Sequence, residues 1–104
     1  MIVEYLRYTV PPEQSRQFEQ AYEAAGEHLL ASPNCLGYDV ARSVDEPGSY
    51  IVRIHWDSAE GHLEGFRKGQ HFPAFFALVK PFFQAIAEMR HYEIVTGDLG
   101  NGKP

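Results

Sequence analysis

Two side chains near the middle of the chain could do chemistry together. Trp56 closes the run YIVRIHW, and His62 follows in SAEGHLEGF. An unperturbed imidazole titrates near neutrality, so His62 fits a general base that removes a proton from a weakly acidic O–H. An indole can stack on a flat ring, which fits Trp56 to hold an aromatic substrate. Both also fit a packed core, His62 as a histidine bonded to backbone and Trp56 as filling at the end of a sheet. Beyond them comes a row of rings, Phe66, Phe72, Phe75, Phe76, Phe82 and Phe83. Helical spacing accounts for most of the row as core. The adjacent pairs Phe75–Phe76 and Phe82–Phe83 cannot all face inward, so some of these rings line a pocket or meet a partner. An apolar cleft with one imidazole suits a small, planar aromatic molecule. Its candidate catalytic residues are His62 and Trp56, and its candidate substrate contacts are Phe66, His71, Phe75 and Arg42. For His71, capping the next helix or facing solvent are the alternatives, with solvent the leading one, and Arg42 is a candidate donor to a substrate anion.

Other chemistry is excluded by spacing and count. The pairs His55–His62 and His62–His71 fit no common ligand motif, so neither a metal nor another cofactor is expected. His55 points away from Trp56 along a regular strand, His28 suits the C-terminal end of a helix dipole, and His91 is given no role. The single cysteine, Cys35, rules out an internal disulfide and reads as a small buried apolar residue. No Ser-His-acid set, nucleophile elbow or glycine-rich phosphate loop is present. Net charge is −5 and the nine Lys and Arg are scattered, which excludes a nucleic-acid surface. No signal peptide or membrane span is read, so a cytoplasmic location without a membrane partner is expected.

The elements that must position these side chains follow from periodicity. Ile2 to Val10 reads as a strand with Ile2, Leu6, Tyr8 and Val10 on one face and Val3 and Tyr5 on the other. Pro11-Pro12 ends it, and the spacing Phe18, Tyr22, Ala25, Leu29 predicts an amphipathic helix over 13–31. Leu36 to Ser43 is a second strand with Leu36, Tyr38 and Val40 on one side. The turn 45–49 joins it as a hairpin to the strand Tyr50–Trp56. A helix over 57–68 starts at Asp57 as N-cap, with Glu60 completing a capping box, and turns Ala59, His62, Leu63 and Phe66 inward. Gly61 and Gly65 in that helix mark a close approach by a ligand or a neighbouring helix. A helix over 72–89 should kink or split at Pro81, followed by a strand over 90–95. Residues 1–96 make one domain and 97–104 a flexible tail.

The order β-α-β-β-α-α-β is an α+β, ferredoxin-like split β-α-β pattern with an antiparallel sheet. Helices on one side leave the other sheet face bare. A first strand apolar on both faces predicts that a second copy covers it, as a dimeric α+β barrel. Arg53, His55, Asp39 and Glu93 are expected on or near that second face.

The stretches IVEYLRYTV, ASPNCLGYDVARSVDEPGSY, YIVRIHWDSAEGHLEGF and HFPAFFALVKPFF, in this order over residues 1–95, resemble the antibiotic-biosynthesis-monooxygenase family. The resemblance implies a homodimeric barrel. It also implies oxidation of phenolic or quinol-type aromatics by dioxygen without flavin, haem or metal. Trp56 matches the tryptophan that lines the family's cleft. His62 stands where some members carry a proton-handling tyrosine, and Val52 replaces an asparagine four residues before the tryptophan. The haem-degrading branch fits poorly: the first strand has no asparagine, and Phe66 occupies its histidine's position. Two functions are therefore expected as alternatives. One is a cofactor-independent monooxygenase-like protein; the other is a non-catalytic, stress-related barrel that binds a hydrophobic small molecule.

Overall fold

The computed structural model describes residues 1–97. Four strands form one antiparallel sheet in the order β2-β3-β1-β4: β1 is Ile2–Thr9, β2 Cys35–Arg42, β3 Ser49–Trp56 and β4 Ile86–Glu93. The helices α1 (Ser15–Ala31) and α2 (Phe72–Val79) complete the ferredoxin-like arrangement expected from the pattern. Short 3-10 segments precede α1 (Pro12–Gln14) and follow α2 (Lys80–Ala85). Most of the tail expected over 97–104 lies outside the described residues.

Alternation decides which side of the sheet each residue serves. Tyr50, Val52, Ile54 and Trp56 of β3 are all buried beside Leu6 and Tyr8 of β1. Phe18, Tyr22, Ala25 and Leu29 of α1 close the core from above. Phe18 is its centre, with ring centroids 4.8 Å from Tyr8, 4.6 Å from Tyr50 and 5.3 Å from Phe82.

Three expectations are corrected. First, residues 57–68 do not form one regular helix, because Gly61–Phe66 is π-helical: the Arg67 N–H donates to the His62 carbonyl at 3.0 Å. The wider turn keeps His62 and Phe66 inside and puts Leu63 outside, 46% exposed. Its start is capped by Ser58, whose Oγ accepts from Gly61 N–H at 2.9 Å, while the Asp57 carboxylate accepts from Asn34 Nδ2 at 3.0 Å.

Second, the helix expected over 72–89 ends at Val79. Pro81 lacks the N–H that an α-helix would use and crowds the preceding turn, so the chain tightens to 3-10 and then extends. Ile86 and Met89 belong to β4, which starts earlier than expected and pairs Met89 with Leu6 and His91 with Glu4. That register also turns Glu93, opposite Ile2, to the helix-covered side rather than the bare one.

Third, a bulge between Cys35 and Gly37 throws Leu36 off the face it was expected to share with Tyr38 and Val40. Leu36 is 54% exposed, and Cys35 pairs with Trp56 instead.

Gly61 and Gly65 admit neither a ligand nor a helix. A Cβ at Gly65 would run into Oδ1 and Cγ of Asn34, and one at Gly61 into the Asp57 carboxylate and Asn34 Nδ2. Elsewhere in a helix, alanine for glycine gains about 1 kcal/mol. Here Gly65→Ala is expected to cost about 1–3 kcal/mol in urea unfolding, because Asn34 is held by Asp57 and cannot swing away. The cost should largely vanish when Asn34→Ala is present in the same chain; a persistent cost would place the strain elsewhere.

Candidate functional site

The helices and the sheet enclose a cavity of about 420 Å³. Its wall includes Glu4, Trp56, His62, Phe66, Phe72 and Phe75, with Tyr8 and Tyr22 among the further lining residues. The polar group at its edge is compact. The Trp56 Nε1–H donates to Glu4 Oε1 at 3.1 Å, and His62 Nε2 lies 3.2 Å from the same oxygen. The His62 ring stacks on the indole with centroids 4.7 Å apart and planes at 11°. Phe66 packs 5.0 Å from the indole, and His91 comes within 5.2 Å of the His62 ring.

Burial sets the electrostatics. Glu4 is 6% exposed and His62 4%. Desolvation pushes the Glu4 carboxyl above its ordinary range, against the hydrogen bond from Trp56 and the attraction of His91 and Arg67. The same desolvation, helped by His91 and Arg67, pushes His62 down to about 4. At neutral pH the imidazole is therefore uncharged and has a free lone pair. A proton arriving on it would be balanced by the carboxylate 3.2 Å away.

The structure brings together four of the six candidate residues. Trp56, His62, Phe66 and Phe75 share the cavity wall. Trp56 is covered by His62 on one face and held by Glu4 at its edge, so it positions those two groups instead of offering its own face. Arg42 is elsewhere. It pairs with Glu19 at 3.0 Å beside Tyr50, whose hydroxyl donates to the same carboxylate, and lines a separate cavity of about 580 Å³ with Tyr38 and Asp39. His71 occupies the N-cap position of α2, makes no side-chain cap bond, and is not among the residues lining the first cavity.

Two members of the site escape a reading by spacing. Glu4 stands between Ile2 and Leu6 on the apolar face of β1, and an acid at a core position was the signal available. His91 lay hidden because β4 was expected to start four residues too late for its register to be read. One ligand atom each of Glu4, His62 and His91 lies within 4.8 Å of the others, a set that sequence spacing does not reveal.

At the far end of the cavity the hydroxyls of Tyr8 and Tyr22 share a hydrogen bond of 2.7 Å. Burial raises both phenols above their usual range, and for Tyr22 the neighbouring Tyr8 raises it further. The folded chain thus keeps two protons that the unfolded chain releases near pH ~10, so stability falls as pH rises past that value. In an alkaline titration followed by tyrosinate absorbance, these two rings are expected to ionise only together with unfolding. A Tyr8→Phe, Tyr22→Phe chain should lose that late component.

A sequence profile of the antibiotic biosynthesis monooxygenase family matches residues 1–78. The chain belongs to this family. Among curated proteins it is 22% identical over 80 residues to the uncharacterised protein YczJ of Bacillus subtilis (strain 168), covering 77% of this chain and 84% of that protein. Two crystal structures of provisionally assigned antibiotic biosynthesis monooxygenases share its fold. The one from Bordetella bronchiseptica superposes with a TM-score of 0.74 at 24% identity, covering 91% of this chain and 97% of that one. The one from Chloroflexus aurantiacus J-10-fl gives 0.75 at 21% identity, covering 93% and 95%. At these identities the superpositions establish the architecture. Within the family match fall Glu4, Trp56, His62, Phe66 and Phe75; His91 lies beyond it. Among the described residues no helix is long and apolar enough to cross a membrane.

Proposed function

We propose that this family member oxidises a phenolic or quinol-type aromatic with dioxygen, with the Glu4–His62 pair as proton acceptor. The observation that carries the reading is the His62 imidazole held 3.2 Å from the buried Glu4 carboxyl on the wall of an aromatic-lined cavity. The ring lodges among Phe66, Phe72 and Phe75, and its O–H meets His62. Proton transfer gives an electron-rich phenolate and an imidazolium, whose charge Glu4 offsets. The anion then reduces dioxygen: one oxygen atom enters the ring, which becomes a quinone, and the other leaves as water. For a hydroquinone the products are a hydroxyquinone and water, and no external reductant is required. Trp56 is a positioning residue, its N–H fixing Glu4 and its face fixing His62.

We take the working form to be a cytoplasmic homodimer closed over the bare sheet face. That face carries Val3 and Tyr5 beside Arg53, which bonds both oxygens of Asp39 at 3.0 and 2.6 Å. It also carries His55, whose buried Nδ1 has no hydrogen-bond partner among the described residues.

A second reading, binding without catalysis, is favoured by Val52, a fully buried apolar residue. It leaves no amide where the resemblance leads one to expect an asparagine. Oxygen uptake by tag-free protein over a hydroquinone series separates the two. Equimolar consumption of quinol and dioxygen, with hydroxyquinone formed, is the expected result. Quenching of the sole tryptophan's fluorescence by these compounds without oxygen uptake would establish the binding reading instead.

A further inference from the structure

We propose that Glu4, His62 and His91 form a binding site for one divalent first-row transition-metal ion. The three residues come from β1, the π-helical segment and β4, and one ligand atom of each lies within 4.8 Å of the others. Two imidazoles and one carboxylate are a donor set that such ions favour when other coordination positions stay open. The spacing is suitable. Metal–ligand bonds of about 2.1 Å place neighbouring ligand atoms roughly 3.0–3.5 Å apart, and Glu4 Oε1 and His62 Nε2 are already 3.2 Å apart. His91 is exposed on the edge strand β4, so its ring can turn the remaining distance without disturbing the core.

The surroundings fit an ion as well. The Trp56 N–H bonds the Glu4 carboxylate, the kind of outer contact that orients a ligating group. The cavity lined by Glu4 and His62 gives room for water or a small anion on the open positions. Arg67, which also lines that cavity, is the opposing feature: its charge acts on Glu4 and His62 and weakens a cation there. The two negative-to-neutral donors that lie deepest, Glu4 and His62, are nonetheless buried where water competes little.

This inference goes beyond the proposed oxidation. An ion would take the imidazole nitrogen and the carboxylate oxygen that the proton transfer uses, so the loaded and unloaded proteins would be alternatives. Binding itself needs no substrate and can be tested apart from oxygen uptake.

The test is a titration of tag-free, chelator-stripped protein with cobalt(II), read by the visible ligand-field bands and by calorimetry. Saturation at one ion per chain is expected. His91→Ala should weaken binding about tenfold or more, with the far-UV spectrum unchanged because this side chain lies outside the core. Glu4→Gln should do the same, and His71→Ala should leave the affinity as it was. Absence of a saturable band at millimolar cobalt(II) would overturn the proposal. So would wild-type affinity in His91→Ala, or a loss that follows His71 instead. Cobalt binding, together with no quinol oxidation by the chelator-stripped protein, would leave this site standing and remove the proposed reaction.

Discussion

Replacing His62 by glutamine is expected to lower kcat/KM for quinol oxidation by about 10²–10⁴-fold, the range that a positioned general base supplies. Glutamine nearly matches the imidazole in reach and can hydrogen-bond Glu4, but it cannot take a proton. The loss should fall on kcat. KM should change little, because the ring is held by phenylalanines that the substitution does not touch. Stopped-flow oxygen measurements with melting curves on the same samples check both halves. Equal rates in the two proteins would remove His62 as acceptor and leave Glu4, whose carboxyl is already raised by burial, as the next group to examine.

Phe18→Ala is expected to be the most damaging single change to stability, costing about 3–5 kcal/mol. Phe18 is 0% exposed. Its ring touches Tyr8 on β1, Tyr50 on β3, Tyr22 on its own helix and Phe82 after α2. Apart from Tyr22, these partners lie on elements far apart in the chain, so no single one can move to fill the gap. Against a typical domain stability of about 5–15 kcal/mol, that loss leaves little margin. Leu30→Ala on the same helix serves as the control: Leu30 is 59% exposed, and its loss should shift stability by about 0.5 kcal/mol or less. Urea midpoints with unchanged slopes would measure both.

The architecture was readable wherever one local rule ruled alone. Alternation in Tyr50–Trp56 and the 3.6-residue spacing of Phe18, Tyr22, Ala25 and Leu29 gave a strand and a helix that the structure contains. Pro81 marked the break after α2 for a reason that is purely local. The family was legible too, from the hairpin and the tryptophan-to-histidine stretch. What could not be read were features that depend on pairing between distant segments. The bulge that expels Leu36 comes from matching β2 against β3. The π-helical turn suits a segment whose glycines are pressed by Asn34, from the loop before β2. Glu4 and His91 join His62 only through the register of β1 against β4. A helical periodicity running through Ile86 and Met89 concealed the start of that last strand, and with it the register that brings His91 to the polar cluster.

The position of β1 between β3 and β4 has a consequence for how the chain comes to fold. Glu4 leaves the ribosome long before His91, which follows it by 87 positions in the sequence. Until β4 arrives, β1 has one unpaired edge, and the cleft lacks part of its rim. The contacts that finish the site are thus among the longest-range in the chain, and closing such loops is slow. A nascent or truncated chain ending near Val79 would hold the hairpin and both helices yet present that open edge to its neighbours, which makes it prone to intermolecular strand pairing.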